Sequence, residues 1–150
     1  MNRLSKGKVL VGALNVDGDI TINDDLVVSG DSRTTGVAAV KRSVATIADG
    51  ASMVATAAHI MTNTIVSATP TTGRNVTTGT AAAIIALSTN FAVGDTTEFT
   101  VINLAAATHA LTILGGSGVT IIGSAVVSAS DSGTFYVNIA SATTVVLYRK

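Results

Sequence analysis

Residues 97–104 read TEFTVINL, and residues 133–139 read GTFYVNI. Apolar and polar side chains alternate in both stretches, so that Phe99 and Val101 fall on one side while Glu98 and Thr100 fall on the other. Such alternation is the signature of a β-strand that turns one face towards a core. The two stretches therefore predict a sheet with one buried face.

Further short β-type segments surround these two stretches at fairly regular intervals. Groups of Gly, Ser and Asp separate most of them, and such residues favour turns. Residues 115–118 read GGSG, which predicts a hairpin turn. The remaining predicted strands are residues 40–47, 59–67, 75–78, 110–114, 119–123 and 143–148.

One Ala-rich segment departs from this pattern. Residues 81–88 combine good helix formers with Thr80 as a suitable N-cap, which predicts one short helix. Many short strands with frequent turns are typical of sandwiches and barrels. The predicted fold class is all-β, a jelly-roll-like β-sandwich or barrel with one short helix.

The first 36 residues differ from the rest of the chain. Residues 9–16, 19–22 and 26–29 are short β-type runs separated by Asp, Asn and Gly turns, and a polar linker follows them. Two or three strands alone do not make a stable sheet. We therefore divide the chain into an arm, residues 1–36, with short β-repeats for attachment and trimerisation, and a β-sandwich body, residues 37–150.

The composition is apolar and poor in charge. Hydrophobic residues make up 47% of the chain, charged residues 12%, and the net charge is zero. A monomer coated with Thr and Ser would explain these figures, but they favour a chain whose strand faces are buried against other copies. Zero net charge argues against nucleic acid as a partner, and no apolar run is long enough to predict a membrane helix.

The sequence predicts no catalytic, cofactor or metal site, so the protein is not expected to be an enzyme. His59 and His109 lack ligand partners at metal-binding spacing, and each is predicted to be an ordinary strand or loop histidine. The glycine-rich segment lacks the lysine of a phosphate-binding loop. Four aspartates of the arm could hold calcium, but turn formation explains them more simply: Asp17, Asp19, Asp24 and Asp25.

Two parts of the chain resemble known virion proteins. Residues 12–31, GALNVDGDITINDDLVVSGD, resemble the short G-[DN]-[LI]-T-[VI] repeats of phage fibres. The body resembles a β-module of phage and metagenomic virion proteins. The matching segments are the helix at 81–87, VGDTTEFTVIN at 93–103, GSGVTIIGS at 116–124 and TTVVLYRK at 143–150.

This resemblance implies a non-enzymatic structural protein of a phage particle. The short arm on a compact body fits a capsid decoration (cement) protein that binds and stabilises the head as a homotrimer. A short head or tail fibre, or its tip, for host adsorption is the alternative. A carbohydrate-binding module is a third reading, which the shortage of aromatic residues and carboxylates disfavours.

The expected partners are two further copies and the major capsid protein or another virion protein, with no nucleic acid and no membrane. The expected location is the outer surface of the capsid or fibre, after assembly in the host cytoplasm. Arg3, Lys6 and Lys8 are predicted to contact the capsid. The predicted trimer interface in the arm consists of Val9, Val11, Leu14, Ile20, Ile22, Leu26 and Val28. In the body, residues 37–47 or the helix at 81–87 would pack around the threefold axis.

Overall fold

The computed structural model describes residues 42–150 except Asn63, Thr89 and Asn90. This part of the chain is mostly β, with two sheets and two short helices, which confirms the predicted fold class at that level. The strands are β1 Val44–Thr46, β2 Met53–Ala55, β3 Ile65–Ala68, β4 Arg74–Thr78, β5 Thr96–Asn103, β6 Leu111–Leu114, β7 Val119–Ile122, β8 Val126–Val127, β9 Asp131–Ile139 and β10 Val145–Arg149. The helices are α1 Ala57–Met61, between β2 and β3, and α2 Ala81–Ala86, between β4 and β5.

The first six strands alternate between the two sheets. The first sheet has the order β1-β3-β5-β9-β10-β7, and the second sheet has the order β2-β4-β6-β8. The chain thus visits the first sheet, then the second sheet, then a short helix, and repeats this path. We call each such passage through the two sheets a coil. The strands of each coil lie parallel to those of the previous coil.

A short sequence repeat explains why the coils superpose. Residues 56–60 read TAAHI and residues 80–84 read TAAAI. In each coil the threonine is the N-cap of the helix and accepts a hydrogen bond from a backbone N–H, and the isoleucine is fully buried. Capping fixes the point at which each helix begins, and the apolar residue one turn later ties that helix to the core.

The later strands close the two sheets around one core. In the first sheet, β9 lies antiparallel between β5 and β10, and β10 lies parallel to β7. In the second sheet, β8 lies antiparallel to β6. Phe99 and Phe135 face each other across β5 and β9, fully buried, with ring centroids 5.5 Å apart. The predicted alternation of these two strands is therefore confirmed.

Two predicted segments are wrong. Residues 59–67 were predicted to be one strand, but His59 belongs to α1 and β3 begins only at Ile65. The capping pair of Thr56 and His59, described below, outweighs the β-branched residues in that stretch. Residues 115–118 were predicted to turn a hairpin, but β6 and β7 lie in different sheets and do not pair.

The glycines of this segment serve a crossing between sheets instead. Gly118 has a φ of +77°, a backbone conformation that favours glycine. A Cβ atom at Gly116 would lie 2.6 Å from the Thr78 carbonyl oxygen, so the backbone passes too closely for a side chain. Five of the eight pairings in the described part are parallel, which departs from the antiparallel jelly roll that the sequence suggested.

The other predicted segments can be compared directly. The helix is confirmed with its Thr80 cap, and of predicted strand 40–47 the structure describes Val44–Thr46 as β1. Strands β4, β5, β6, β7, β9 and β10 match their predictions to within two residues at either end. Strands β2 and β8 and helix α1 were not predicted. The predicted arm lies outside the described residues.

Candidate interaction surfaces

A charged group lies on the outer face of the first sheet. The Glu98 carboxylate accepts hydrogen bonds from Arg42 at 2.5 Å and from Lys150 at 3.4 Å. Arg42, and then Lys150, hold the pKa of Glu98 below its usual value. Tyr136, and then Glu98, raise the pKa of Lys150, whose amine lies 5.2 Å from the Tyr136 ring centroid. Exposed pairs of this kind add little stability, but they give this face a mixed charge pattern.

A second ion pair joins the loop after β1 to the start of β4. Asp49, which follows β1, accepts a hydrogen bond from Arg74 Nε at 2.7 Å and two more from the backbone N–H and hydroxyl of Thr71. Arg74, and then Thr71, hold the pKa of Asp49 far below its usual value. Asp49 also raises the pKa of Arg74. Both residues are committed to this contact, which points to a structural role.

The buried amide of Asn103 links the end of β5 to the second sheet. Its Nδ2 group donates to the carbonyl oxygens of His109 at 2.8 Å and Val127 at 3.0 Å, and its Oδ1 atom accepts from the backbone N–H of Ala105 at 3.0 Å. The side chain is fully buried. Three hydrogen bonds from one buried amide indicate a fixed junction between the two sheets.

Both histidines occupy structural positions. His59 Nδ1 accepts from the backbone N–H of Thr56 at 3.3 Å, and Thr56 Oγ1 accepts from the backbone N–H of His59 at 3.3 Å, which makes a capping box. His59 is thus a helix residue and not the predicted strand or loop residue. His109 lies in the loop before β6, and its carbonyl accepts the bond from Asn103. The described residues include no group of three or more His, Asp or Glu that could hold a metal ion.

The outer face of the second sheet differs from that of the first. The strands alternate there, so that Met53, Val76 and Ile113 point into the core while their neighbours point outwards. The outward residues form two rows across the sheet, and none of them is charged. We call this surface the neutral face. Its residues are Val54, Thr77 and Leu114 in one row, and Asn75, Thr112 and Val126 in the other.

Apolar side chains remain accessible on the neutral face. Val54 and Val126 are each 45% exposed, and Leu114 is 40% exposed. Sequence reasoning did not single out these residues, because their strands are short and two of the three carry little alternation. Residues 110–114 were predicted to form a strand, but a strand as short as β6 does not tell which of its sides faces outwards.

The residues predicted to contact the capsid, and those predicted to form the arm's trimer interface, lie outside the described residues: Arg3, Lys6, Lys8, Val9, Val11, Leu14, Ile20, Ile22, Leu26 and Val28. Within the predicted body contacts, Val44 of β1 is 68% exposed and Leu87, which caps α2, is 52% exposed. Both side chains are exposed among the described residues, and their contact with a partner stays a prediction.

No family model, no curated protein and no solved structure matches this chain. In the described part of the chain, no helix has the length and apolar character needed to cross a membrane.

Proposed function

We propose that this chain is a non-enzymatic structural protein of a tailed phage particle. Its specific form would be a capsid decoration (cement) protein that binds the head as a homotrimer. The observation that carries the proposal is the accessible apolar surface of the body. Ten large hydrophobic side chains in the described residues are between 39% and 68% exposed.

Such exposure has a physical cost for a chain that works alone. Three of these side chains, Ile122, Tyr148 and Tyr136, are neighbours in the register of the first sheet. Contiguous apolar surface on a soluble protein usually marks a contact with another molecule. The whole chain carries only nine basic and nine acidic residues to keep that surface in solution. Burial against sister copies and against a capsid shell removes this apolar surface from water, and a decoration protein has both contacts.

The shared core of the body suits a structural role, because it holds the two sheets in fixed positions. Two sheets share one core, which holds residues of both sheets and of both helices. We take this body to be a β-sandwich whose first half consists of parallel coils. A module of this kind presents fixed, flat faces, and its partners would be two further copies and the major capsid protein or another virion protein.

Light scattering on the purified full-length chain tests the oligomer first. We expect the mass of a trimer at micromolar concentration and a melting temperature that rises with protein concentration, because dissociation and unfolding would be coupled. Addition of the chain to phage heads that lack it should then raise the temperature at which the heads release DNA. A monomer that leaves head stability unchanged would refute the proposal.

One observation favours a short fibre or fibre tip as the alternative. Tyr136 and Tyr148 lie opposite each other in the register of β9 and β10, on the outer face of the first sheet. They are 39% and 41% exposed. Neighbouring exposed tyrosines are common in recognition surfaces, and they also suit the less favoured carbohydrate-binding module.

Adsorption to host cells separates this alternative from the decoration role. A fibre tip predicts that the trimer binds host cells and that a double Tyr136→Ala, Tyr148→Ala variant loses that binding. A decoration protein predicts unchanged head binding for the same variant. A glycan array with the intact trimer distinguishes a sugar receptor from a protein receptor.

A further inference from the structure

We infer that the neutral face is the surface by which copies of this chain meet. The inference rests on the proposed homo-oligomer and names the surface that forms it. The occupant of the neutral face is a second copy of this chain, and the first sheet is left free to face a different partner.

The absence of charge on the neutral face is the first argument. Around a symmetry axis each copy presents the same surface, so residues close to the axis meet their own equivalents. A charged residue there would face a like charge, which is destabilising. The six outward residues of the second sheet are valine, leucine, threonine and asparagine only, so they can face themselves without repulsion.

The first sheet offers the contrast within the same molecule. On its outer face, Glu98 forms ion pairs with both Arg42 and Lys150. That group would meet its own copy if the first sheet lay at the axis. A surface with fixed charges of both signs suits a partner of different sequence, because complementary charges then decide which partner is accepted.

Exposure in the single chain is the second argument. Val54, Leu114 and Val126 keep 40% to 45% of their surface accessible. Among the residues that the structure describes, none covers this face. Its side chains are short, and Thr77, Thr112 and Asn75 can exchange hydrogen bonds with water for bonds across an interface.

A charge placed on the neutral face tests the inference. Thr112→Lys puts an ammonium at the middle of the face, and Thr120→Lys puts the same change on β7, where Thr120 is exposed on the outer face of the first sheet. The measurement is the mass of each full-length variant by light scattering, with circular dichroism as the check on folding. We expect Thr112→Lys to lower the mass about threefold, from trimer to monomer, and Thr120→Lys to leave it unchanged.

The outcomes separate this inference from the proposed function. A wild-type chain that is monomeric overturns the homo-oligomer itself. A wild-type oligomer that survives Thr112→Lys overturns the neutral face and leaves the homo-oligomer in place. Loss of the oligomer in both variants also overturns the inference, because the effect would not belong to one face.

A second measurement decides the matter if Thr112→Lys fails to fold. The chain contains no cysteine, so a single introduced thiol is the sole target for a maleimide. Asn75→Cys should react slowly in the oligomer and quickly after dilution to monomer, whereas Thr120→Cys should react quickly in both. Equal rates for the two thiols in the oligomer would contradict the inference.

Discussion

Asn103 is the residue whose replacement tests the junction between the two sheets most directly. Its amide makes three hydrogen bonds while fully buried, and each such bond contributes about 0.5–1.5 kcal/mol net. Replacement by leucine removes all three and leaves two carbonyls and one N–H without that partner. We therefore expect Asn103→Leu to lower the free energy of unfolding by about 3 kcal/mol, measured by urea denaturation.

Asn103→Asp changes the chemistry with almost no change in shape. The acceptor to Ala105 is kept, but an oxygen replaces the amide nitrogen that donates to two carbonyls. Burial and these carbonyls disfavour the carboxylate, so the pKa of the new aspartate is raised in the folded state above its unfolded value of about 3.9. The protonated acid can still donate one bond. The variant should therefore be strongly destabilised relative to wild type at neutral pH, and the difference should shrink as the pH falls.

Asn138→Asp is the matched control. Asn138 also donates to backbone carbonyls, those of Gly94 and Asp95, but its side chain is only half-buried. Solvent can hydrate a carboxylate there, so the loss should be smaller and should depend less on pH. Equal losses at Asn103 and Asn138, or a penalty for Asn103→Asp that grows towards acid pH, would refute the proposed role of Asn103.

Three further predictions concern packing, charge and capping. A double-mutant cycle on Phe99 and Phe135, each changed to leucine, should give a coupling energy of about 0.5–1.5 kcal/mol by urea unfolding, and a value near zero would contradict the stacked contact. Asp49 has a depressed pKa in the folded state, so its contribution is present above the unfolded value of about 3.9 and is lost as the pH falls below it. Asp49→Asn should therefore be less stable than wild type at pH 7, and the difference in melting temperature should narrow in acid. Thr80→Ala should cost about 1 kcal/mol because it removes the N-cap of α2, and an unchanged unfolding free energy would argue against that cap.

Local patterns were sufficient for the longer elements. Strands β5 and β9 have eight and nine residues, so alternation of apolar and polar side chains could be recognised in them. The helix α2 was recognisable because Thr80 and a run of alanines give both a cap and a strong propensity. In these places the short-range preferences agree with the final packing.

Three of the short elements carried too little pattern to be recognised in the sequence. Strand β2 reads MVA and β8 reads VV, and the short helix α1 depends on the capping pair of Thr56 and His59. Local sequence patterns also could not predict which strands pair, because the parallel neighbour of a strand lies a whole coil away in the sequence. Ser43 and Thr64, whose hydroxyls meet at 3.0 Å, are 21 residues apart.

The repeat of TAAHI and TAAAI was the one signal that could have revealed the coils. Two similar pentapeptides with a threonine at the start and an isoleucine at the end indicate equivalent positions in a stacked unit. That reading would also have placed β2 and β4 side by side, and with them the first row of the neutral face. Exposure of that face depends on all four strands and required the structure.

The strand order of the first sheet has a consequence for how the chain is made. Among the described strands, β7 pairs only with β10, which is synthesised after β8 and β9. Until β10 has been made, β7 therefore has an open hydrogen-bonding edge on both sides. Parallel partners separated by such stretches close slowly, so neighbouring nascent chains have an interval in which to compete for that edge.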